Sequence, residues 1–235
     1  MLLINKIKSE INKLSNPPQI AFYTKFFRAL PGDICQGDKL LAIKIPELRK
    51  VIKKYYFVMT LEDAKYFMDS EYNEMRFFGQ EVILTKFNKA KAIDEQKILI
   101  EFLLANVNSI NHWNLVDNCV SEIGQWCWQI QDFTILEQFH NSQSVWKKRI
   151  AIVSNIRLFK FGKFDLALRF IQDDLDYNHE YIQKANGWVL RELGKYNEKT
   201  LIEFLQFNKS RLPPITKSYA TEHLRKTYNI PLLLQ

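Results

Sequence analysis

What most constrains this chain is a long-period recurrence of apolar helical segments. Stretches with apolar residues at helical spacing begin near Asn73, Asn111, Ser144 and Asn178, roughly 33 to 38 residues apart, with a shorter helical stretch between each pair. No stretch shows the sustained period-two alternation of a half-buried strand. The 235 residues include only 7 Gly and 7 Pro, so little interrupts the helices and nothing supplies a flexible linker. The pattern predicts an all-α chain, one domain over residues 1–235, whose helix pairs stack as an α-solenoid. Each pair has an apolar face that it cannot bury alone and covers with its neighbour. One helix of each pair then lines a concave face suited to an extended ligand.

Local signals place the elements. Leu3, Ile4, Ile7, Ile11 and Leu14 make one face of a helix from Met1 to Leu14. Pro17-Pro18 opens a second helix through Phe22, Phe26 and Phe27, and Pro31-Gly32 stops it. Pro46 opens a third. Further helices are expected over 61–69, 73–88, 94–106, 112–126, 132–139, 144–160, 163–175, 179–194, 197–208 and 214–228.

The stretch 108–128, NSINHWNLVDNCVSEIGQWCW, has the look of a site. Ser109 or Asn111 can cap a helix starting near Trp113, and Leu115, Val116, Cys119, Val120 and Ile123 form its buried stripe. Trp113 and Asp117 then sit one turn apart on the same side. The plainer reading is a core tryptophan and a carboxylate favoured by the helix dipole. Two further long helices repeat the pairing, Trp146 with Arg149 and Trp188 with Arg191. Arginine forks suit phosphate, and aromatic faces stack on sugars or attract cations. Trp126, Trp128 and Trp146 are expected to pack between helices.

The formal net charge of +7 points to an anionic partner such as nucleic acid. Between Ser144 and Phe170, Lys147, Lys148, Arg149, Arg157, Lys160, Lys163 and Arg169 face the single acid Asp165, and Lys44, Arg49, Lys50, Lys53 and Lys54 form a second cluster. Such patches can track a phosphate backbone, or be solvated helix faces. Cys35, Cys119 and Cys127 form no CxxC pair and read as core thiols of a reducing compartment. His112, His140, His179 and His223 are scattered, so no metal is expected. Lys6 and Lys8 interrupt the opening apolar run, and no segment reaches the roughly 18 apolar residues of a membrane span. The expectation is a soluble, cytoplasmic, monomeric protein without cofactor.

Several blocks in this order, GDKLLAIKIPELRKV, NEMRFFGQEVIL, NHWNLVD, WKKRIAIV and IQKANGWVLRELGK, resemble the bacterial AlkD-type DNA alkylation repair proteins, glycosylases built from HEAT-like helical repeats. The resemblance runs from about residue 20 to residue 225. It implies base excision of 3-methyladenine and 7-methylguanine from double-stranded DNA. It also implies a catalytic carboxylate at Asp117, aromatic faces at Trp113 and Trp188, and a phosphate-binding Arg149. From the basic clusters and the tryptophan–arginine pairs, Lys147, Lys148, Arg191, Lys44 and Arg49 are expected as further DNA contacts. The sequence departs from the family pattern at Asn114, at Asn73-Glu74-Met75-Arg76, at Leu40-Leu41-Ala42 and at Leu212-Pro213-Pro214. Two other readings stand beside it: a non-catalytic homologue that grips distorted or branched DNA, and a HEAT-type protein scaffold.

Overall fold

A computed structural model describes residues 2–230, with Lys226 as backbone only. The single domain expected over 1–235 and the helix start expected at Met1 include residue 1 and residues 231–235, which lie outside the described residues. The all-α expectation is borne out. Among the described residues there are thirteen α-helices, four 3-10 turns and one isolated bridge between Lys39 and Tyr72. No helix among them is long and apolar enough to cross a membrane.

The chain divides into two compact units, residues 1–119 and 120–235. The first holds α1 (Leu2–Asn12), α2 (Ile20–Phe26), α3 (Ile45–Tyr55), α4 (Leu61–Met68), α5 (Asn73–Lys89), α6 (Ile93–Ala105) and the start of α7 (Trp113–Ile130). Pro46 sits in the first turn of α3, and Leu48, Val51, Ile52 and Tyr55 follow as its buried stripe. Thr60 and Asp63 close a capping box on α4: Asp63 N–H donates to Thr60 Oγ1 at 3.1 Å and Thr60 N–H to Asp63 Oδ2 at 2.9 Å. Helix α5 is the centre of this unit, packed on α3, α4 and α6. Gly79 lets α4 approach it, since a Cβ there would stand 2.4 Å from Ala64 O.

The second unit holds α8 (Thr134–His140), α9 (Val145–Ser154), α10 (Asp165–Asp173), α11 (Glu180–Tyr196), α12 (Glu198–Phe207) and α13 (Pro214–Ala220). Here α11 is central, packed on α9, α12 and α13. The helix expected over 144–160 ends at Ser154 and continues as a 3-10 turn, Asn155–Phe161. Asn155 turns its own amide back on the helix, donating to Ala151 O at 2.8 Å and Ile152 O at 3.3 Å, which competes with the regular ladder. The helix expected over 214–228 similarly stops at Ala220, where the Thr221 hydroxyl donates to Lys217 O.

Polar links between successive helix pairs keep the repeat spacing. Gln80 Nε2 donates to Leu115 O at 2.8 Å, Arg149 Nη1 to Tyr181 O at 2.9 Å and Thr216 Oγ1 to Gln183 O at 3.0 Å, with sequence separations of 35, 32 and 33. Among the described residues, Cys35, Cys119 and Cys127 are buried cysteines outside any disulfide, and burial pushes the pKa of the Cys35 and Cys127 thiols up to about 12.

Candidate functional site

Helix α7 begins at Trp113, and His112 stands at its cap. The N–H groups of Leu115 and Val116 donate to His112 O at 3.1 and 3.0 Å, and Asn114 N–H reaches His112 Nδ1 at 3.4 Å. Neither residue expected as cap serves. Ser109 ends a 3-10 turn and its hydroxyl donates to Asn106 O, while Asn111 is exposed. His112 is fully buried and its Nε2 lies 2.9 Å from Phe27 O, a carbonyl that only accepts. Its ring stacks on Phe27 with centroids 4.8 Å apart. Burial lowers its pKa, which favours the neutral imidazole.

Asn114, one of the departures from the family pattern, joins a polar chain that runs into the interior. Its Nδ2 donates to Asn73 Oδ1 at 2.8 Å, and Asn73 in turn reaches Asp38 Oδ2 at 3.4 Å. Asp38 is ion-paired with Arg76 at 2.6 Å, their side chains 11% and 7% exposed. Glu74 accepts the backbone N–H groups of Leu41 and Ile43 at 3.0 and 3.3 Å, holding that loop on α5. Burial raises the Glu74 pKa against those bonds. Ala42 between them has φ of 55°, a left-handed conformation that costs a non-glycine residue roughly 1 kcal/mol. At this departure from the family pattern the loop thus keeps a backbone that a glycine would favour.

These supports place Trp113 and Asp117, both half-buried, on the wall of a cleft of about 400 Å³. Tyr23 and Phe26 of α2 and Phe27 at its C-cap line the same cleft, together with Lys44, Phe77 and Asn118. Phe26 meets Trp113 edge-on at 5.9 Å and Phe27 lies 5.6 Å from it. Sequence reasoning took the α2 aromatics only as part of a helix. The available signal was the doubled i, i+4 pattern of Phe22/Phe26 and Tyr23/Phe27, which leaves aromatic rings on adjacent faces of one short helix. Lys44 is exposed. Arg49 is also exposed, with Nε 3.0 Å from Glu81 and Nη2 3.4 Å from Asn118.

In the second unit, Ser144 caps α9 by accepting Lys147 N–H at 3.4 Å. Arg149 is only 6% exposed and donates to Tyr181 O, with its guanidinium 5.9 Å from the half-buried Trp188 ring. Those two residues, chosen separately from the sequence, are therefore neighbours. Lys148 departs from its expected place as a DNA contact. It is 8% exposed, with Nζ 3.1 Å from Asp174, whose other oxygen meets His140 Nε2 at 3.1 Å. A buried cation must be paired, and Lys148 is held in that cluster instead of presenting its charge outside. Lys147 is half-buried, and Arg191 pairs with Glu222 and, at 3.4 Å, with Glu192. Trp126 is buried, Trp128 stacks on Phe161 at 4.1 Å and Trp146 packs 5.3 Å from Tyr181.

The basic clusters are less bare than the sequence suggests. Arg49–Glu81 and Arg169–Glu137 are ion pairs between residues 32 positions apart, so acids from neighbouring repeats offset part of each patch, and Arg191–Glu222, 31 positions apart, is a third pair of this kind.

No curated protein sequence matches this chain significantly. A solved structure of a predicted DNA alkylation repair enzyme from Enterococcus faecalis is similar, with a TM-score of 0.72 over 91% of this chain and 98% of that one. Sequence identity is 19%, so this likeness speaks to the fold. The model of the family described as DNA alkylation repair enzyme matches residues 7–224, nearly the whole length. By that match, the chain belongs to the DNA alkylation repair enzyme family.

Proposed function

We propose that this protein is a monofunctional DNA glycosylase of the AlkD type, hydrolysing the N-glycosidic bond of cationic alkylated purines in duplex DNA. The observation that carries this reading is Asp117, half-buried in an aromatic-walled cleft one helical turn from Trp113. Alkylation at a purine ring nitrogen leaves the base positively charged, so it departs readily with the bonding electron pair. Cationic character builds on the deoxyribose as that bond lengthens. A fixed carboxylate beside it stabilises the developing charge, and aromatic faces do the same from the sides. Water adds its oxygen to the sugar carbon, and its proton passes to the carboxylate or to solvent. The cleft is open and lined by few charged groups, which suits selection by leaving-group lability.

In the second unit, Trp188 would offer an aromatic face to the DNA, and the buried Arg149 would orient it. Lys44, Arg49, Lys147 and Arg191 would hold the backbone, a sequence-independent role that weakens with salt.

The test is release of 7-methylguanine or 3-methyladenine from methylated duplex by wild type and Asp117→Asn, with duplex affinity measured for both. The expected result is a loss of roughly 10²- to 10³-fold in rate, the scale seen when one preorganised charge-stabilising group is removed, with binding retained. If neither protein frees base while both bind in a salt-sensitive way, the glycosylase reading fails and the chain is a DNA-gripping homologue.

A further inference from the structure

The short helix α2 carries more aromatic surface than its packing uses. None of its seven residues is buried. Tyr23 and Phe27 stack at 6.0 Å, and Phe27 turns toward His112 and Trp113. Phe22 and Phe26 form a second stack, rings 6.2 Å apart and 11° from parallel, yet they are 63% and 56% exposed. Phe26 links the two sets, because it also meets Trp113 edge-on. Phe22 lies outside the cleft lining, so the outer stack extends the cleft's aromatic wall toward solvent.

Phe22 meets Tyr23 edge-on at 5.9 Å, yet most of the Phe22–Phe26 surface stays open to water as an apolar face, and the charges beside it say what covers it. Lys25, on the same helix, is exposed. Arg28 is exposed with its Nε 3.5 Å from Asp33, and Lys44 stands exposed on the cleft rim. A flat apolar face bordered by cations matches a nucleobase attached to its phosphates, the combination used on single-stranded stretches. A protein partner of neutral, purely apolar surface would offer nothing to the exposed Lys25 and Lys44.

We propose that Phe22, backed by Phe26, is a stacking platform for an unpaired nucleobase next to the site of base removal. This rests on the reading of the Trp113–Asp117 cleft as the place where DNA is handled. The platform holds a base that has left the duplex stack, so the protein prefers DNA that is already locally unpaired. Sequence selectivity is not expected, since every base offers a π-face.

The experiment uses the full chain and two short duplexes, one fully paired and one with 2-aminopurine as a single bulged nucleotide. Wild type should bind the bulged duplex about tenfold more tightly and quench the 2-aminopurine emission on saturation, as stacking does. Phe22→Ala should lose both the preference and the quenching while keeping paired-duplex affinity, and Phe22→Trp should restore them. The proposal is overturned if Phe22→Ala retains preference and quenching, or if it weakens both duplexes equally. It is also overturned if wild type self-associates without DNA and Phe22→Ala abolishes that, because the face then covers a second copy. Base release from methylated duplex, measured in parallel, separates the two ideas. Quenching without base release sinks the glycosylase reading alone, and base release without quenching sinks the platform alone.

Discussion

Gly124 offers a test in which two physical arguments give opposite signs. It lies inside α7, where replacing glycine by alanine ordinarily stabilises by about 1 kcal/mol through backbone entropy and helix propensity. Yet a Cβ at Gly124 would stand 2.2 Å from Ser154 O and 2.9 Å from Arg157 Cβ. Carbon and carbonyl oxygen come no closer than about 3.3 Å, so the end of α9 must retreat by about 1 Å. The blocking atom is backbone, so no side-chain rotation relieves it. Ser154 and Asn155 beside it are fully buried, and Asn155 is tied to Ala151 O, which leaves little slack. Overpacking of this kind costs about 1–3 kcal/mol, and with a rigid partner the upper end applies. Set against the propensity gain, the net for Gly124→Ala is a loss of about 2 kcal/mol. Urea unfolding followed by tryptophan emission reads it well, since four of the five tryptophans lie beyond residue 119. A midpoint raised by the full propensity gain would refute the close approach of α7 to the 154–157 turn.

Further tests address the supports of the cleft. Asp38→Asn leaves the buried Arg76 without its counter-charge and should destabilise by about 3 kcal/mol, measured by the same unfolding assay. A loss under about 1 kcal/mol would mean that Arg76 finds water or another partner. His112 has a pKa held below its ordinary 6.5 by burial, so between that lowered value and 6.5 the unfolded chain binds more protons than the folded one. Its contribution to stability is therefore present above about 6.5 and falls as pH drops through the folded pKa. Glu74, with a raised pKa, acts in the opposite sense, so the comparison must be made within one variant pair. The difference in stability between wild type and His112→Gln should shrink on going from pH 7.5 to pH 5, and a pH-independent difference would show that His112 is not titrating there.

Much of the fold could be read from the chain because helical periodicity is a local property. Helix starts at Pro46, Asn73, Ser144 and Pro214 lie within a residue or two of the expected positions. Two of the misplaced ends, at Ser154 and Ala220, are places where a polar side chain turns back on its own helix, an effect decided by one rotamer, and α7 runs to Ile130, four residues past its expected end. At the site, Trp113 and Asp117 were legible because four residues make one turn. Lys148 was not, because the Asp174 that holds it is 26 residues away and nothing in WKKR distinguishes a buried lysine from an exposed one. The basic clusters look barer in the sequence than in the fold for the same reason, since Glu81 and Glu137 reach their arginines from neighbouring repeats. The α2 aromatics were visible as a pattern, but spacing alone does not say which face is left bare.

The constant offset of the polar links has a consequence for how the chain folds. Links at separations of 31 to 35 recur from Arg49–Glu81 to Arg211–Asp176, so each closes a loop of nearly the same length. Loop-closure entropy depends on the logarithm of that length, so every repeat meets about the same modest barrier, however many repeats precede it. Structure can begin in any helix pair and spread to its neighbour, as in a one-dimensional chain of coupled units. Such a protein gains length without gaining contact order, and a repeat could be added to either end without slowing the assembly of the rest.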